Sequence, residues 1–367
     1  MSSIQILQSN GPEWNEAISD LPHDVYHTSG YHALAERMGE GTPRLFVYQE
    51  GPWKFAFPYL LRRIPEWAEL SQERHFDVTS VYGYPGPVAT PEIPKAFLDA
   101  AGYHLKEHWA EQNVVCAFTR FNSLLGNAQC NTFTGDGAFL TQTGRSLAMD
   151  LRLSRQEQLS HYSKTTRQEI SAARRRGLCT IEDSEWTTAD AFLRLYNRAM
   201  EIRMAPAAYF LPSEWIEWVR RDLGVRAHLL YASVSGIIAA SICVLAHGDT
   251  LHAHLTAVDE SFAEWSPLKL LLDDVSQWAR DRGHQYFHLG GGVGGREDSL
   301  FHFKRRMCSL TFPFAIAGCI VDRDAYSQMT ARALGGPDAT PLGDSYFPAY
   351  RSLAAEAYLT AQSKILT

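Results

Sequence analysis

The sequence lacks a long uninterrupted apolar run. Its longest, Leu229 to Ala246, is broken by Tyr231, Ser233, Ser235, Gly236 and Ser241. A Ser-Gly pair between two β-rich runs reads as a hairpin turn, which excludes a membrane helix there. The first residues show no charged leader followed by an apolar core, so no signal peptide is expected and the expected compartment is the cytoplasm. Cysteine is sparse: Cys116, Cys130, Cys179, Cys243, Cys308 and Cys319 form no Cys-x-x-Cys pair, and buried reduced thiols are expected. An excess of basic charge is also missing. Lys plus Arg is 34 against 41 for Asp plus Glu, a net charge of −7, which speaks against a general nucleic-acid binder but leaves room for a local basic face. Neither His-Glu-x-x-His nor Gly-x-Ser-x-Gly occurs, so neither a metal site nor a covalent hydrolase is expected.

What is present is a chain of 367 residues, 45% apolar and 12% aromatic. That is enough for two folded domains at about 100–200 residues each. No Pro/Gly/Ser linker separates them, so they are expected to be closely packed. In the second half, the pattern predicts a strand over Ser146–Leu151, a helix from Ser154 to Arg176 stopped by Gly177, a helix from Thr187 to Met204 and a shorter one from Ser213. Three strands follow, 226–233, 237–247 and 250–257, joined at Ser235-Gly236 and Gly248-Asp249. Pro267 opens a helix with apolar spacing at Leu268, Leu271, Leu272, Val275 and Trp278. A strand over 284–289, a Gly loop, a helix near 299–306 and a strand near 310–316 complete the half. This order resembles that of a GNAT acyltransferase domain. The first half repeats it more faintly, with a hairpin over 44–63, a strand over 76–82, a helix over 94–112 and a strand over 114–118.

Several motifs carry a further resemblance. They are Asp24-Val-Tyr-His-Thr-Ser-Gly-Tyr31, Asp77-Val-Thr-Ser-Val-Tyr-Gly-Tyr-Pro-Gly-Pro87, Arg120-Phe-Asn-Ser-Leu124, Ser163-Lys-Thr-Thr-Arg-Gln-Glu-Ile170, Ala173-Arg-Arg-Arg-Gly177, Leu289-Gly-Gly-Gly292 and Asp298-Ser-Leu-Phe-His-Phe-Lys304. Their order and spacing over about residues 24–310 resemble the Fem family of non-ribosomal peptidyltransferases, close to the CelD/BioF-type acyltransferases. The resemblance implies an α/β (α+β) fold of two tandem GNAT-like domains, 1–145 and 146–318, with 319–367 packing back on the first. It implies N-acyl transfer from aminoacyl-tRNA to an amine of a cell-wall precursor or small metabolite, with no cofactor beyond that co-substrate.

Residue by residue, the resemblance places Phe303 and Lys304 at the reaction centre. A fixed cation there faces the oxyanion formed when an amine attacks an ester, and losing one such donor typically costs about 3–4 kcal/mol. With an ordinary pKa of about 10.4, Lys304 suits that role better than general-base work. The competing reading is a solvated basic face, since Arg305 and Arg306 follow. Arg203 and Tyr209 fall where the family meets the acceptor's phosphates, and Tyr82 and Tyr84 where its first domain meets the acceptor. The family's lysine in the early helix is missing; Glu36-Arg37 stands there.

Lys164, Arg167, Arg174 and Arg175 are expected broadly on one side of a helix, a footprint for a tRNA acceptor stem; a solvated helix end competes with that reading. His254 is a candidate for lining the substrate channel. Gly290-Gly-Gly-Val-Gly-Gly295 satisfies Gly-x-Gly-x-x-Gly, but it comes late and a short basic helix follows, so a dinucleotide site is disfavoured. Either the turn itself needs φ > 0, or the loop lets a substrate approach closely, and the second reading is preferred. The stretch where a GNAT enzyme holds the pyrophosphate of CoA, Ser261-Phe-Ala-Glu-Trp-Ser-Pro-Leu-Lys269, has no glycine, and Pro267 removes an N–H. Lys269 remains near that helix start as an anion ligand. An acyl-CoA-dependent N-acyltransferase acting on an amino sugar or amino acid is the alternative enzyme, and a non-catalytic binding module the alternative of another class.

Overall fold

The computed structural model describes residues 2–70, 74–336 and 346–352. The chain falls into two units. The first takes the residues up to Gln142 together with those from Ala315 onward, and the second runs from Thr143 to Phe314.

The first unit opens with β1 (Ser2–Leu7), α1 (Glu13–Ile18) and α2 (Ser29–Arg37). The hairpin β2 (Thr42–Glu50) and β3 (Trp53–Arg63) follows, then β4 (Phe76–Thr79) and the short β5 (Val88–Ala89). Helix α3 (Lys95–Glu111) leads into β6 (Val114–Arg120). Strands β1 to β4 pair antiparallel in chain order, and β4 then pairs parallel with β6. A parallel neighbour needs a crossover, and α3 supplies it. Phe57, Tyr59, Trp109 and Phe133 form one buried aromatic cluster beneath that helix.

The second unit begins in β7 (Phe139–Asp150), then α4 (Arg155–His161), α5 (Lys164–Arg175) and β8 (Cys179–Glu182). Next come α6 (Ala189–Ile202) and α7 (Trp215–Leu223), and the meander β9 (Ala227–Val234), β10 (Ile237–His247) and β11 (Thr250–Val258). Helix α8 (Pro267–Asp281) crosses to β12 (Tyr286–Gly290), which is followed by α9 (Ser299–Arg305). Its sheet order is β7-β12-β11-β10-β9-β8, parallel only between β11 and β12. Each unit thus contains one parallel pair bridged by one long helix. Leu270, Leu271, Val275 and Ala279 bury the apolar face of α8 against the strand residues Leu230, Ile242 and Phe287. Strand β13 (Leu310–Ile320) then leaves the second unit and pairs through Ile316–Ile320 with β6 of the first, before α10 (Arg323–Leu334).

The expected helix over 154–176 is two helices. Ser154 caps the first, and Ser163 caps the second by accepting from Thr166 N at 3.1 Å. Between them Tyr162 is extended, its ring buried and its hydroxyl 3.0 Å from Gln158 Nε2. Two capping residues nine positions apart were the visible signal. Strand β4 stops at Thr79 rather than at Tyr82, while β13 runs on to Ile320. Strands β1 and β8 and helix α10 went unforeseen. The sequence from Ala333 to Pro348 reads as a loop before a final helix; of this stretch, residues 337–345 and 353–367 lie outside the described residues.

Candidate active site

The site in the second unit is assembled from the end of β12, the glycine loop and α9. Asp298 is the N-cap of α9: one carboxylate oxygen accepts from Phe301 N at 3.0 Å and the other from Val293 N at 2.9 Å. One side chain therefore starts the helix and closes the loop before it. A turn later, Lys304 Nζ donates to Gly291 O at 2.6 Å. The ammonium is fixed at the mouth of the loop rather than swinging on a solvated face. Burial pushes the Lys304 pKa down to about 8, partly opposed by Cys308 and Asp298. The ordinary value expected for this lysine is therefore corrected. Near pH 7 it is still mainly cationic.

Two of the loop's glycines answer to the protein's own backbone. A Cβ on Gly292 would lie 2.1 Å from Arg296 O, one on Gly291 2.6 Å from Arg145 O, and one on Gly144 1.6 Å from Gly295 O. Gly290, Gly294 and Gly295 adopt positive φ. At Gly291 and Gly292 the protein's own backbone already requires glycine, whereas a Cβ on Gly294 would meet nothing within 4 Å. Gly291 and Gly295 let the loop pack flat against β7, and that packing holds the carbonyl that orients Lys304.

Phe303 is half-buried against the core, with Lys269 Nζ 5.9 Å from its ring centroid. Lys269 is also ion-paired with Glu169. It is therefore not an unengaged phosphate ligand, as the sequence suggested, but a tie between α5, α8 and Phe303. At the start of α8 the amides of Lys269 and Leu270 both turn back to Ser266 O, at 3.1 and 3.4 Å. Pro267 has no amide hydrogen to add. The turn before it carries Asp259, Glu260 and Glu264.

Strands β11 and β12 pair only from Thr250 with Tyr286 to His252 with His288. At this last pairing the buried His252 and His288 meet with their Nδ1 atoms 3.1 Å apart. His254 follows at a bulge, where Cys243 and Val244 face Leu255 and Ala253. Burial drives its pKa down to about 3, so it is neutral at physiological pH.

The basic run divides. Lys164, Arg167 and Arg175 line one shallow depression of α5 together with Gln168 and Ser171. Arg167 Nη1 also holds Leu159 O and Tyr162 O at 2.9 and 3.1 Å. Arg174 leaves the stripe to engage Asp274 and, at 2.9 Å, the fully buried Asp273, which Arg155 binds through both oxygens. The one-sided stripe is thus corrected: four positions, three of them on the open face. Arg203 is exposed at the end of α6 and donates to Ala199 O at 2.9 Å, and Tyr209 is exposed in the turn beyond it. In the first unit Tyr82 is exposed, and Tyr84 packs edge-on against Tyr26. Gly83 between them has φ 106°, and a Cβ there would strike the Tyr26 ring at 2.3 Å.

Sequence reasoning gave no role to Asp298, which caps α9 and clamps the loop, or to Glu169, which pairs with Lys269. Only Asp298 left a signal, an aspartate immediately ahead of a helix.

Residues 160–305 match the family model of the acetyltransferase (GNAT) domain. The second unit is an acyltransferase domain. Among solved structures, FemX is similar over 88% of this chain and 98% of its own, with 11% identity and a TM-score of 0.66. L-PGS from Bacillus licheniformis is similar over 86% of this chain and 93% of its own, with 12% identity and a TM-score of 0.52. The C-terminal domain of a putative lysylphosphatidylglycerol synthetase from Agrobacterium fabrum covers 85% and 93%, with 15% identity and a TM-score of 0.51. These likenesses show the fold: a mixed α/β GNAT-like architecture that extends beyond the matched domain. No curated protein matches the sequence. Among the described residues no helix is long and apolar enough to cross a membrane.

Proposed function

We propose that the protein is a cytoplasmic, Fem-type N-acyltransferase that moves an aminoacyl group from aminoacyl-tRNA to an amine of a cell-wall precursor or small metabolite. The amine nitrogen attacks the ester carbonyl, forming the C–N bond. The ribose oxygen departs with the bonding pair and takes up the proton that the amine loses. The Lys304 ammonium stands opposite the intermediate's oxyanion, and Phe303 holds the helix turn that carries it. No cofactor enters. Lys164, Arg167 and Arg175 meet phosphates of the tRNA, Arg203 and Tyr209 meet the acceptor, and Tyr82 and Tyr84 add to acceptor binding.

The observation that carries the choice of donor is the closed start of α8. Where a pyrophosphate would need free amides, that of Lys269 is turned onto Ser266 O, the first position is proline, and three carboxylates lie just upstream. The basic face of α5 instead suits a polyanion bound through spaced phosphates. The second reading, acyl transfer from acyl-CoA to an amino sugar or amino acid, draws on the match to an acetyltransferase domain. A donor screen separates the two. The protein is incubated with labelled aminoacyl-tRNAs and, separately, with labelled acetyl-CoA, each with an extract of small amines. RNase-sensitive transfer of label is the expected result, and transfer from acetyl-CoA alone overturns it.

A further inference from the structure

The first unit holds a cluster of charges that the transfer chemistry above does not use. Asp77 on β4 is fully buried and saturated. It accepts from Arg62 Nε at 2.7 Å, Arg351 Nε at 2.6 Å and the Tyr350 hydroxyl at 3.1 Å. Arg120, the last residue of β6, faces the same cluster, and so do Glu40, Tyr82 and Tyr346. Glu40 sits just beyond α2 and accepts from the backbone amide of Tyr82.

Three guanidinium groups therefore stand against two carboxylates, Glu40 and Asp77, leaving one positive charge over. That charge resides at Arg120. Among the described residues its guanidinium makes one hydrogen bond, to Ser80 Oγ at a long 3.4 Å, and no ion pair within 4.0 Å. The Phe118 ring backs it at 5.2 Å. A guanidinium carries five N–H donors in a planar fork. Here the fork is partly withdrawn from water, and burial lowers its pKa. A cation in that position with one weak partner is under-satisfied. Its surroundings are open on one side, since Tyr82 and Tyr346 are 51% and 58% exposed. Those two rings offer hydroxyl donors and flat apolar surface beside the fork.

We propose that Arg120, with Ser80, Tyr82 and Tyr346 around it, forms an oxyanion-binding site in the first unit for a carboxylate or phosphate group of a small molecule. A singly charged group neutralises the cluster, whereas a second negative charge meets Glu40, which favours a carboxylate over a phosphate dianion. The planar fork fits a carboxylate through two parallel hydrogen bonds.

The test is direct binding, without donor or transfer, so it stands or falls separately from the proposed reaction. Benzoate and inorganic phosphate are titrated at constant ionic strength into the full-length protein, into Arg120→Gln and into Glu40→Gln, with circular dichroism confirming each fold. Saturable binding that Arg120→Gln weakens at least about tenfold supports the site; the tighter probe identifies the carboxylate or the phosphate source. Glu40→Gln is expected to bind either probe more tightly, because a competing negative charge is gone. No saturable binding to the unmutated protein overturns the proposal, as does undiminished binding to a folded Arg120→Gln. Should Arg120→Gln fail to fold, unchanged affinity in Glu40→Gln overturns it equally.

Discussion

Lys304 combines two properties that pull against each other. Its ammonium is held at 2.6 Å from a carbonyl, which fixes its direction, and it is buried enough to bring its pKa to about 8. In its proposed role as the cation beside a developing oxyanion, it is fully charged well below pH 8 and loses its proton as pH rises through that value. The Lys304-dependent part of kcat/KM is therefore expected to be level near pH 7 and to fall above about pH 8. Lys304→Arg, charged throughout, is expected to remove that falling limb; a general base would instead give a rate that rises through pH 8. Lys304→Ala is expected to lower transfer by about 10²–10³-fold, the equivalent of about 3–4 kcal/mol, with the fold retained. Burial also has a stability sign. A lysine whose folded pKa is depressed destabilises the fold while it is charged. The penalty is thus complete below about pH 8 and is relieved as pH rises toward 10.5, where the unfolded chain still holds the proton. Lys304→Met is expected to melt at a higher temperature than the parent at pH 7 and to lose that pH-dependent gain, as thermal scans from pH 7 to 10 would show.

At the scale of elements, the helix α9 and its loop behave as one piece because Asp298 holds both. Asp298→Ala removes the N-cap and the loop clamp together. It is expected to cost about 1 kcal/mol of stability by denaturant titration and to lower kcat more than it raises the KM for the donor. Lys269 is expected to act likewise by positioning, through Phe303. Glu169→Gln and Lys269→Met should both reduce kcat and leave the donor KM unchanged; a rise in donor KM confined to Lys269→Met would mark a phosphate ligand instead. Much of this architecture was legible beforehand. Pro267 announced α8, the Ser235-Gly236 and Gly248-Asp249 turns announced the meander, and Phe303-Lys304 stood out after the glycine loop. What was not legible depended on partners far apart in sequence. Glu169 meets Lys269 and Arg174 meets Asp273 across about a hundred residues, and no local period records such pairings. The packing of two loop glycines was hidden for the same reason: Gly291 and Gly295 lie against Arg145 and Gly144 on β7, which local sequence does not reveal. The break at Tyr162 was hidden by helical residues on both sides, with only Ser163 to betray a second start.

For the molecule as a whole, net charge and local charge work in opposite directions. A protein at −7 repels a polyanion at long range. In the proposed reading, tRNA binding rests on a local surface, for which α5 offers Lys164, Arg167 and Arg175 on one face, with Arg174 turned away to Asp273. Phosphate contacts release counterions, so donor affinity should fall steeply with salt. Each contact contributes roughly 0.7–0.9 to the slope of log affinity against log salt concentration. Replacing Lys164, Arg167 and Arg175 together by alanine is expected to make that slope shallower by about two to three. Arg174→Ala, by contrast, should leave the slope alone and lower stability, because it strips a partner from the buried Asp273. Filter binding of aminoacyl-tRNA between 50 and 300 mM salt (roughly the range in which such slopes are read) distinguishes these outcomes. A triple variant with an unchanged slope would remove α5 from the donor site, and the polyanion reading of this face with it.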